Sequence, residues 1–217
     1  MMNNIVIRRA THSDAPFIAH AIWEADRSGT DKSSYATLFQ LSHSGCIDVF
    51  QSLLDMELED CEFSIAACCI VEVDGQRAAT CAGWVEGAQE IPSWQMKFSA
   101  LRYILSDSSM ASFHALQDKV KGVLPARTSG TLQLEAVYID AQYRGLGILQ
   151  RMFDHQLEWN QTQMSTSSKL ELMTYDNNLR AIQAYKKLGF DITNQTKLSD
   201  PEVADIYPSD GMVMMQK

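Results

Sequence analysis

The most informative stretch of the sequence is Gln142-Tyr143-Arg144-Gly145-Leu146-Gly147-Ile148-Leu149, which follows a predicted strand and opens a predicted helix. Glycines at such a junction let the backbone curl tightly and let an anion approach the backbone amides. The first turn of the helix adds unpaired N–H groups and the positive end of the helix dipole. Arg144 adds a permanent charge. The stretch therefore predicts a phosphate-binding turn, although a tight turn with a surface arginine would contain the same residues.

The two familiar nucleotide-binding motifs do not fit this turn. A dinucleotide fingerprint has the pattern G-x-G-x-x-G, and Gln150 stands where the third glycine belongs. A P-loop carries G-K-[ST] after four spacer residues, and the sequence contains no such run. A nucleotide-binding domain therefore stays an alternative, but only the two glycines of the turn support it.

Hydrophobic periodicity on both sides of the turn predicts alternating strands and helices. Strands are expected over 131–139 and 170–174, and the helix between them has an apolar stripe that begins at Leu149. A second helix is expected over 178–188. This strand–helix–strand–helix order implies a mixed sheet with at least one parallel pair of strands.

The rest of the chain adds a hairpin, further helices and the outer strands. The hairpin has strands over 63–74 and 77–86 around the turn signal Asp74-Gly75. Ser13 or Asp14 is expected to cap the first helix. The other expected elements are strands at 5–7, 190–192 and 212–215, helices at 17–25, 47–58, 94–105 and 109–120, and a loop over 28–45. Residues 1–217 are thus expected to form one domain, with a helical or irregular insertion at about 88–130.

A second chemical signal is the helix that begins near Asn178. Asn178 and Tyr185 are at positions i and i+7, with apolar residues at i+3 and i+4, a spacing that places the amide and the phenol on one helical face. One interpretation is a capping asparagine and a core tyrosine. The other is a polar pair that reaches a ligand, with the phenol placed to donate a proton.

Composition excludes several classes of protein. The 217 residues carry a net charge of −9 and 46% hydrophobic residues, which is typical of a globular protein and unfavourable for binding nucleic acid or anionic lipid. No apolar run reaches the roughly 20 residues of a membrane span, and the N-terminal residues lack the order of a signal peptide. Five cysteines without C-x-x-C spacing predict reduced thiols in a cytoplasmic protein. The five histidines lack metal-ligand spacing, so no metal site is expected.

Together the two chemical signals resemble a known family. Residues 134–148 resemble the acyl-CoA motif of the GNAT superfamily of N-acetyltransferases, and residues 178–190 are similar to its second motif, N-x-x-A-x-x-x-Y-x-K-x-G-F. The resemblance is strong over 131–191, fair over 5–26 and 63–86, and absent over 88–130. It implies an α/β fold in which a mostly antiparallel central sheet with a splayed parallel strand pair is flanked by helices.

The resemblance implies a role for each matching position. Backbone groups of Val137, Tyr138 and Ile139 would pair with the pantetheine arm of acetyl-CoA, and Asn178 would also contact that arm. Tyr185 would protonate the departing CoA thiolate. The transfer would be direct, without a covalent enzyme intermediate or a metal. The pyrophosphate would be held by the turn residues Arg144, Gly145, Leu146, Gly147, Ile148 and Leu149.

One position departs from the family motif [QR]-x-x-G-x-[GA]. Arg144 and Gly147 match it, and Leu149 stands where glycine or alanine is usual. The leucine side chain would either crowd the pyrophosphate or point inward, because Leu149 begins the apolar stripe of its helix. Weakened or normal cofactor binding is expected, rather than its loss.

The strand over 131–139 changes its alternation part-way along. Apolar residues share one parity up to Ala136, and Val137 and Ile139 share the other. A β-bulge produces such a switch, and the GNAT family has a bulge there that splays two strands. A strand buried on both faces would show the same pattern.

The attacking amine must lose a proton, and Glu135 is the carboxylate nearest to the expected thioester. It would act directly or through a water, with a pKa raised by burial, and a solvent-facing strand carboxylate is the alternative. Two acidic runs without a basic residue, 55–62 and 200–210, would attract a cationic amine to the acceptor groove. Solvated acidic faces would also explain them. The insertion over 88–130 is expected to border this groove.

These expectations combine into one function with alternatives. The chain is expected to be an N-acetyltransferase that transfers an acetyl group from acetyl-CoA to a primary amine of a small, cationic acceptor in a ternary complex. An acyl-CoA-binding regulatory module without catalysis and a nucleotide-binding domain are the alternatives. The expected partner is the small-molecule amine, without nucleic acid or membrane, and the family's frequent dimerisation adds a homodimer as an option.

Overall fold

A mixed seven-stranded sheet forms the centre of the computed structural model, which describes residues 4–88, 90–120, 123–163, 169–198 and 200–217. The strands in these ranges are β1 (Ile5–Arg9), β2 (Cys68–Val73), β3 (Gln76–Val85), β4 (Leu132–Ile139), β5 (Leu170–Tyr175), β6 (Asp191–Lys197) and β7 (Gly211–Gln216). Their order in the sheet is β1-β2-β3-β4-β5-β7-β6. Only β4 and β5 are parallel neighbours among them, so the predicted fold class is confirmed.

Helices cover both faces of the sheet. They are α1 (Ala15–Arg27), α2 (Ser34–Phe39), α3 (His43–Leu54), α4 (Ser93–Ile104), α5 (Asp107–Val120), α6 (Ile148–Gln163), α7 (Leu179–Lys187) and α8 (Pro201–Ala204). Side chains of α1 to α4 pack with Cys68 and Ile70 of β2, and side chains of α6 and α7 pack with Cys69 and Val71. Alternate residues of a strand point to opposite faces, which explains the continuous apolar run in β2. No helix in the described ranges is long and apolar enough to cross a membrane.

The prediction of a loop over 28–45 is wrong, because this stretch contains α2 and the start of α3. Its serines act as helix caps. Ser33 accepts a hydrogen bond from the amide of Ala36 at 3.1 Å, and Ser42 accepts one from the amide of Gly45 at 3.1 Å. A composition rich in serine therefore marks helix starts here as well as loops.

The start of α1 also differs from the prediction. Asp14 lies at the N-cap position but makes no capping bond with its side chain. Its fully buried carboxylate instead accepts hydrogen bonds from Arg8 at 2.7 Å and from Arg77 at 2.6 Å. Burial opposes ionisation, but these hydrogen bonds hold the pKa of Asp14 well below its usual range. The carboxylate thus joins β1 and β3 to α1.

The hairpin of β2 and β3 is confirmed, with a later start than predicted. Asp74 and Gly75 have φ values of 51° and 78°, the pair of positive values that a type I′ turn requires. β2 begins at Cys68, and the preceding residues form consecutive tight turns in which Ser64 accepts a hydrogen bond from the amide of Ala67.

β4 contains a bulge at its centre. It advances from Glu135 to Tyr138 while β3 moves only from Ala82 to Thr80, so one residue of β3 faces two of β4. Ala136, one of the two, has a φ of 51°, in the left-handed region that residues other than glycine rarely adopt. The change of parity along the strand therefore marks a bulge, as the family resemblance implied.

β4 and β5 separate soon after they meet. Their parallel register ends where Gln133 lies opposite Glu171, although β4 continues to Ile139 and β5 to Tyr175. The two strands thus bound a V-shaped opening that begins just before the bulge.

The closed end of the V-shaped opening is fixed by the buried carboxylate of Glu171. It accepts hydrogen bonds from Gln133 of β4, from Gln216 of β7 and from the amide and hydroxyl of Thr128, at 2.6–2.8 Å. Burial opposes its ionisation, but these donors hold the pKa of Glu171 below its usual value. One side chain therefore joins three strands to the end of the segment 88–130.

Gln156 of α6 satisfies backbone groups beside the bulge. Its fully buried amide donates to the carbonyl of Cys81, the β3 residue that faces the bulge, at 2.6 Å, and to that of Ala67 at 3.0 Å. Its oxygen accepts a hydrogen bond from Arg9 at 2.8 Å. A Cβ at Gly83 would lie 2.9 Å from this side chain, so glycine leaves the room that Gln156 needs.

Replacing Gln156 by leucine should lower the free energy of unfolding by about 2 to 3 kcal/mol, because two carbonyls and Arg9 lose buried partners. Gln161→Leu, at an exposed position of the same helix, is the control and should change it by less than about 0.5 kcal/mol. Urea denaturation of both variants measures the difference. Equal losses in the two variants would contradict a role for the hydrogen bonds of Gln156.

Candidate active site

The V-shaped opening presents backbone groups of β4. The amide of Asp140 donates to the carbonyl of Ala78 in β3 at 2.9 Å. Backbone groups point to alternate sides along a strand, so those of Tyr138 also face β3. Those of Val137 and Ile139 therefore face the opening, where an extended ligand can pair with them.

Arg144 and Tyr138, both predicted to bind the cofactor, contact other parts of the chain. The Nε of Arg144 donates to the carbonyl of Ile139 at 3.0 Å. The ring of Tyr138 packs edge-on against Phe17 and His20 of α1, with centroid distances of 6.0 and 5.4 Å. Arg144 thus stabilises the end of β4, and the Tyr138 side chain joins β4 to α1.

The glycine turn after β4 exposes a run of backbone amides at the start of α6. Asp140 starts the turn by accepting a hydrogen bond from the amide of Gln142 at 3.1 Å. Gly145 and Gly147 have φ values of 84° and 72°, and a Cβ on either would meet open space. The amides of 145–150 have no hydrogen-bond partner among the described residues. Six consecutive free amides at the start of α6 suit the binding of an anion.

The apolar side chains of the turn pack into the core beneath α6. Ile148 is buried, and Leu146 and Leu149 are half-buried against the same cluster of side chains. Of the two orientations expected for Leu149, the inward one is present in the structure. Its side chain therefore belongs to the packing of α6.

Tyr185 and Asn178 lie at opposite ends of α7. Tyr185 is buried, with its ring 6.0 Å from that of Phe153 and nearly parallel to it. Burial, together with the nearby negative charge of Glu135, raises the pKa of the phenol, so it keeps its proton at neutral pH. Asn178 caps the helix, because its Oδ1 accepts a hydrogen bond from the amide of Ala181 at 3.2 Å. The capping interpretation of Asn178 is therefore confirmed, and its amide NH₂ has no partner among the described residues.

Glu135 lies directly before the bulge, and 19% of its side chain is exposed. Its carboxylate accepts a hydrogen bond from Nη2 of Arg127 at 2.8 Å. Burial raises the pKa of Glu135, and the charge of Glu62 raises it further, whereas Arg127 opposes the rise. The net direction is upward, which makes this carboxylate a stronger base than an exposed glutamate.

Three further charged side chains complete a buried ion cluster, which consists of Glu62, Lys97, Arg127 and Glu135. Glu62 accepts a hydrogen bond from Nζ of Lys97 at 2.6 Å. Arg127 lies over the ring of Trp84, 5.4 Å from its centroid. Lys97 and Arg127 both come from the segment 88–130, where the sequence shows no motif, so sequence reasoning missed them. Glu62 was visible only as one member of an acidic run.

A model described as the Acetyltransferase (GNAT) family matches residues 35–190, most of the chain. The chain belongs to the GNAT acetyltransferase family. The predicted enzyme class, an acyltransferase, is confirmed with this membership, and acetyl-CoA is the usual acyl donor of the family. No curated protein matches the chain in sequence.

Solved N-acetyltransferase structures share the fold of this GNAT protein. An N-acetyltransferase from Staphylococcus aureus Mu50 matches it with a TM-score of 0.63 at 18% identity, over 98% of this chain and 100% of that one. The polyamine N-acetyltransferase of Drosophila melanogaster matches with a TM-score of 0.62 at 12% identity, over 99% of each chain. The ribosomal-protein-S18-alanine N-acetyltransferase from Escherichia coli matches with 0.52 at 13% identity, over 98% and 92%. At these identities the likeness establishes the fold alone.

The acidic run 55–62 of this acetyltransferase is divided between core and surface. Glu62 is buried in the ion cluster, where Lys97 pairs with it. Glu57, by contrast, has 81% of its side chain exposed and lies 3.8 Å from His12. The run thus meets basic side chains that are distant in sequence, and only Glu62 belongs to the buried ion cluster.

The second acidic run, 200–210, borders an open groove of about 390 Å³. Asp205 lies 3.2 Å from Nζ of Lys32 at this groove, and Tyr207 also lines it. The side chain of Glu202, another member of the run, lies outside the described part of the chain. Among the described residues, no group of three or more histidines, cysteines, aspartates or glutamates is placed to hold a metal ion.

Replacing Gly147 by alanine should weaken acetyl-CoA binding about 5- to 10-fold, because a residue with a Cβ resists the positive φ by about 1 kcal/mol and the turn then presents its amides less well. Gly75→Ala is the matched control, since Gly75 has a φ of 78° and open space around it in the β2–β3 hairpin. Both variants should lose similar stability, but only Gly147→Ala should lose affinity in calorimetric titration. An equal loss of affinity in both variants would argue against the turn as the binding site.

Proposed function

We propose that the protein transfers an acetyl group from acetyl-CoA to the primary amine of a small, cationic acceptor, by direct attack within a ternary complex. The observation that carries the proposal is the V-shaped opening between β4 and β5. β4 and its continuation bring together the backbone edge of Val137 and Ile139, the amides of 145–150, which have no partner among the described residues, and the carboxylate of Glu135. These are the groups needed to hold an acyl thioester and to deprotonate an amine.

The residues at the opening fit the chemistry of acetyl-CoA. Val137 and Ile139 offer hydrogen bonds of the strand type to an arm that contains amides. The turn over 144–149 offers the amides from Gly145 onward and the start of α6 to a pyrophosphate, with Arg144 at its edge. The NH₂ group of Asn178, which has no partner among the described residues, is available to the arm. When bound, acetyl-CoA supplies the acetyl thioester on which the amine acts.

Two side chains of this chain handle the protons. Glu135 takes the proton of the attacking amine, directly or through a water, so that the nitrogen can form its bond to the acetyl carbon. Tyr185 gives its proton to the sulfur when the carbon–sulfur bond breaks. The raised pKa values of both side chains support these roles, since a buried carboxylate holds a proton more readily and a buried phenol stays neutral.

The acceptor is proposed to be a small cation. The net charge of −9 and the acidic run at the groove of about 390 Å³ favour a positively charged amine. The Drosophila melanogaster protein of the same fold is described as a polyamine N-acetyltransferase that forms N-acetylagmatine, which supports an acceptor of this class. All five cysteines are free and buried, which supports a cytoplasmic location. A homodimer stays a prediction.

A second candidate is an acyl-CoA-binding module without catalysis. The ion pair between Glu135 and Arg127 favours it, because a carboxylate held by a guanidinium is less available as a base. Two measurements separate the candidates: calorimetric titration with acetyl-CoA, and CoA release with agmatine, putrescine, spermidine and butylamine. Binding with CoA release supports the enzyme. Binding without release from any amine supports the module, and absence of binding rejects both.

Tyr185→Phe should slow turnover about 100-fold if protonation of the thiolate limits the rate, because the variant removes only the acidic hydroxyl. Affinity for acetyl-CoA should change little. Tyr103→Phe is the control, since Tyr103 is 84% exposed on α4. Steady-state measurement of CoA release compares them. Full activity in Tyr185→Phe would remove this residue from the mechanism.

The pH dependence of kcat/KM should report Glu135. A base must be unprotonated, so activity should fall as the pH drops through the pKa of Glu135, which burial places above the ordinary value for glutamate. Glu135→Gln should lower kcat and remove this acid limb. Titration of kcat/KM between pH 5 and pH 9 makes the comparison. An identical acid limb in the variant would assign the proton transfer to another group.

A further inference from the structure

Glu62 is a buried carboxylate with one unused oxygen. Only 6% of the residue is exposed. Its Oε1 accepts a hydrogen bond from Nζ of Lys97 at 2.6 Å and lies 3.5 Å from the hydroxyl of Tyr35, which donates to it. Its Oε2 is buried and has no hydrogen-bond partner among the described residues. A buried acceptor without a donor is costly, so this oxygen favours a further donor from a ligand.

The aromatic ring of Tyr35 lies beside this carboxylate. Nζ of Lys97 lies 5.9 Å from the centroid of the Tyr35 ring. Phe50 and Phe63 pack edge-to-face with this ring, at centroid distances of 4.9 and 6.2 Å. A carboxylate and an aromatic ring together bind ammonium and guanidinium groups. The chain's own ammonium therefore occupies a place that suits an organic cation, and 20% of the Lys97 side chain is exposed.

The residues that follow the two carboxylates in sequence, Phe63 and Ala136, pack in the same cluster of side chains, which brings Glu62 to the same part of the molecule as the proposed base. The charge of Glu62 raises the pKa of Glu135, and Arg127, which donates to Glu135, acts electrostatically on both carboxylates. The two carboxylates therefore have separate cations: Arg127 on Glu135 and Lys97 on Glu62. A ligand cation that replaced Lys97 at Glu62 would leave the direct ion pair between Arg127 and Glu135 in place.

We propose that Glu62 binds the second, non-reacting cation of the acceptor, and that Lys97 occupies this place until the acceptor displaces it. The acceptor class is then a diamine or an aminoguanidine, with one nitrogen at Glu135 and the other cation at Glu62. That cation packs against the aromatic ring of Tyr35. This inference rests on the proposed acetyl transfer, because it assigns a part of the same acceptor site.

The test compares putrescine with butylamine, which have the same carbon chain and differ in the second amine. The readout is the ratio of kcat/KM for the two acceptors, measured by CoA release. Glu62→Gln should lower the ratio about 10-fold or more, since a charge-assisted hydrogen bond is lost. Lys97→Met should raise the ratio, because the internal competitor is gone, whereas Lys97→Arg keeps a cation and should resemble the wild type.

Glu57→Gln is the matched control, because Glu57 belongs to the same acidic run and its side chain is 81% exposed. Its ratio should equal that of the wild type. An unchanged ratio in folded Glu62→Gln, or a lowered ratio in Lys97→Met, overturns the inference. If Glu62→Gln does not fold, a raised ratio in Lys97→Met together with an unchanged ratio in Lys97→Arg supports the inference, and any other pair of results overturns it. CoA release with a ratio that no variant moves removes this inference alone, whereas no CoA release from any amine removes the proposed function with it.

Discussion

The bulge of β4 is the constraint on which the rest of the structure depends. A strand that continued its regular pairing past Gln133 would stay beside β5 and close the space between them. The bulge turns β4 away, and the edge formed by Val137 and Ile139 no longer pairs with β5. The left-handed backbone of Ala136 costs on the order of 1 to 3 kcal/mol. Hydrogen bonds from Gln156 to the facing strand help to offset that cost.

The buried ion cluster holds charged side chains largely out of water, where the loss of hydration costs free energy. Glu62 is buried and Glu135 is largely removed from water, and each carboxylate is paired with one basic side chain. Both basic side chains come from the segment 88–130, in which the sequence alone shows no motif. This segment therefore completes the electrostatics of the site. Its helices also pack on α2 and α3, so the cations are held by the core of that face.

The features that could be predicted from the sequence are those that a few adjacent residues determine. The turn with Gly145 and Gly147, the cap at Asn178 and the Asp74-Gly75 hairpin each follow from a few adjacent residues, and the structure contains all three. The helix α2 could not be predicted, because its capping serine resembles loop composition. Lys97 and Arg127 could not be predicted either, because only the fold selects the partner of a solitary cation. The roles of Tyr185 and Glu135 came from the family resemblance and stay predictions.

The hydrogen bonds of Glu171 fix the closed end of the V-shaped opening independently of α4 and α5. They join β4, β5, β7 and Thr128 at the closed end of the V-shaped opening, and none of them involves a residue of α4 or α5. Substitutions in these two helices would therefore leave in place the hydrogen bonds that set the closed end between β4 and β5. With the proposed acetyl transfer, such an arrangement would let a lineage exchange its acceptor without rebuilding its acyl-donor site.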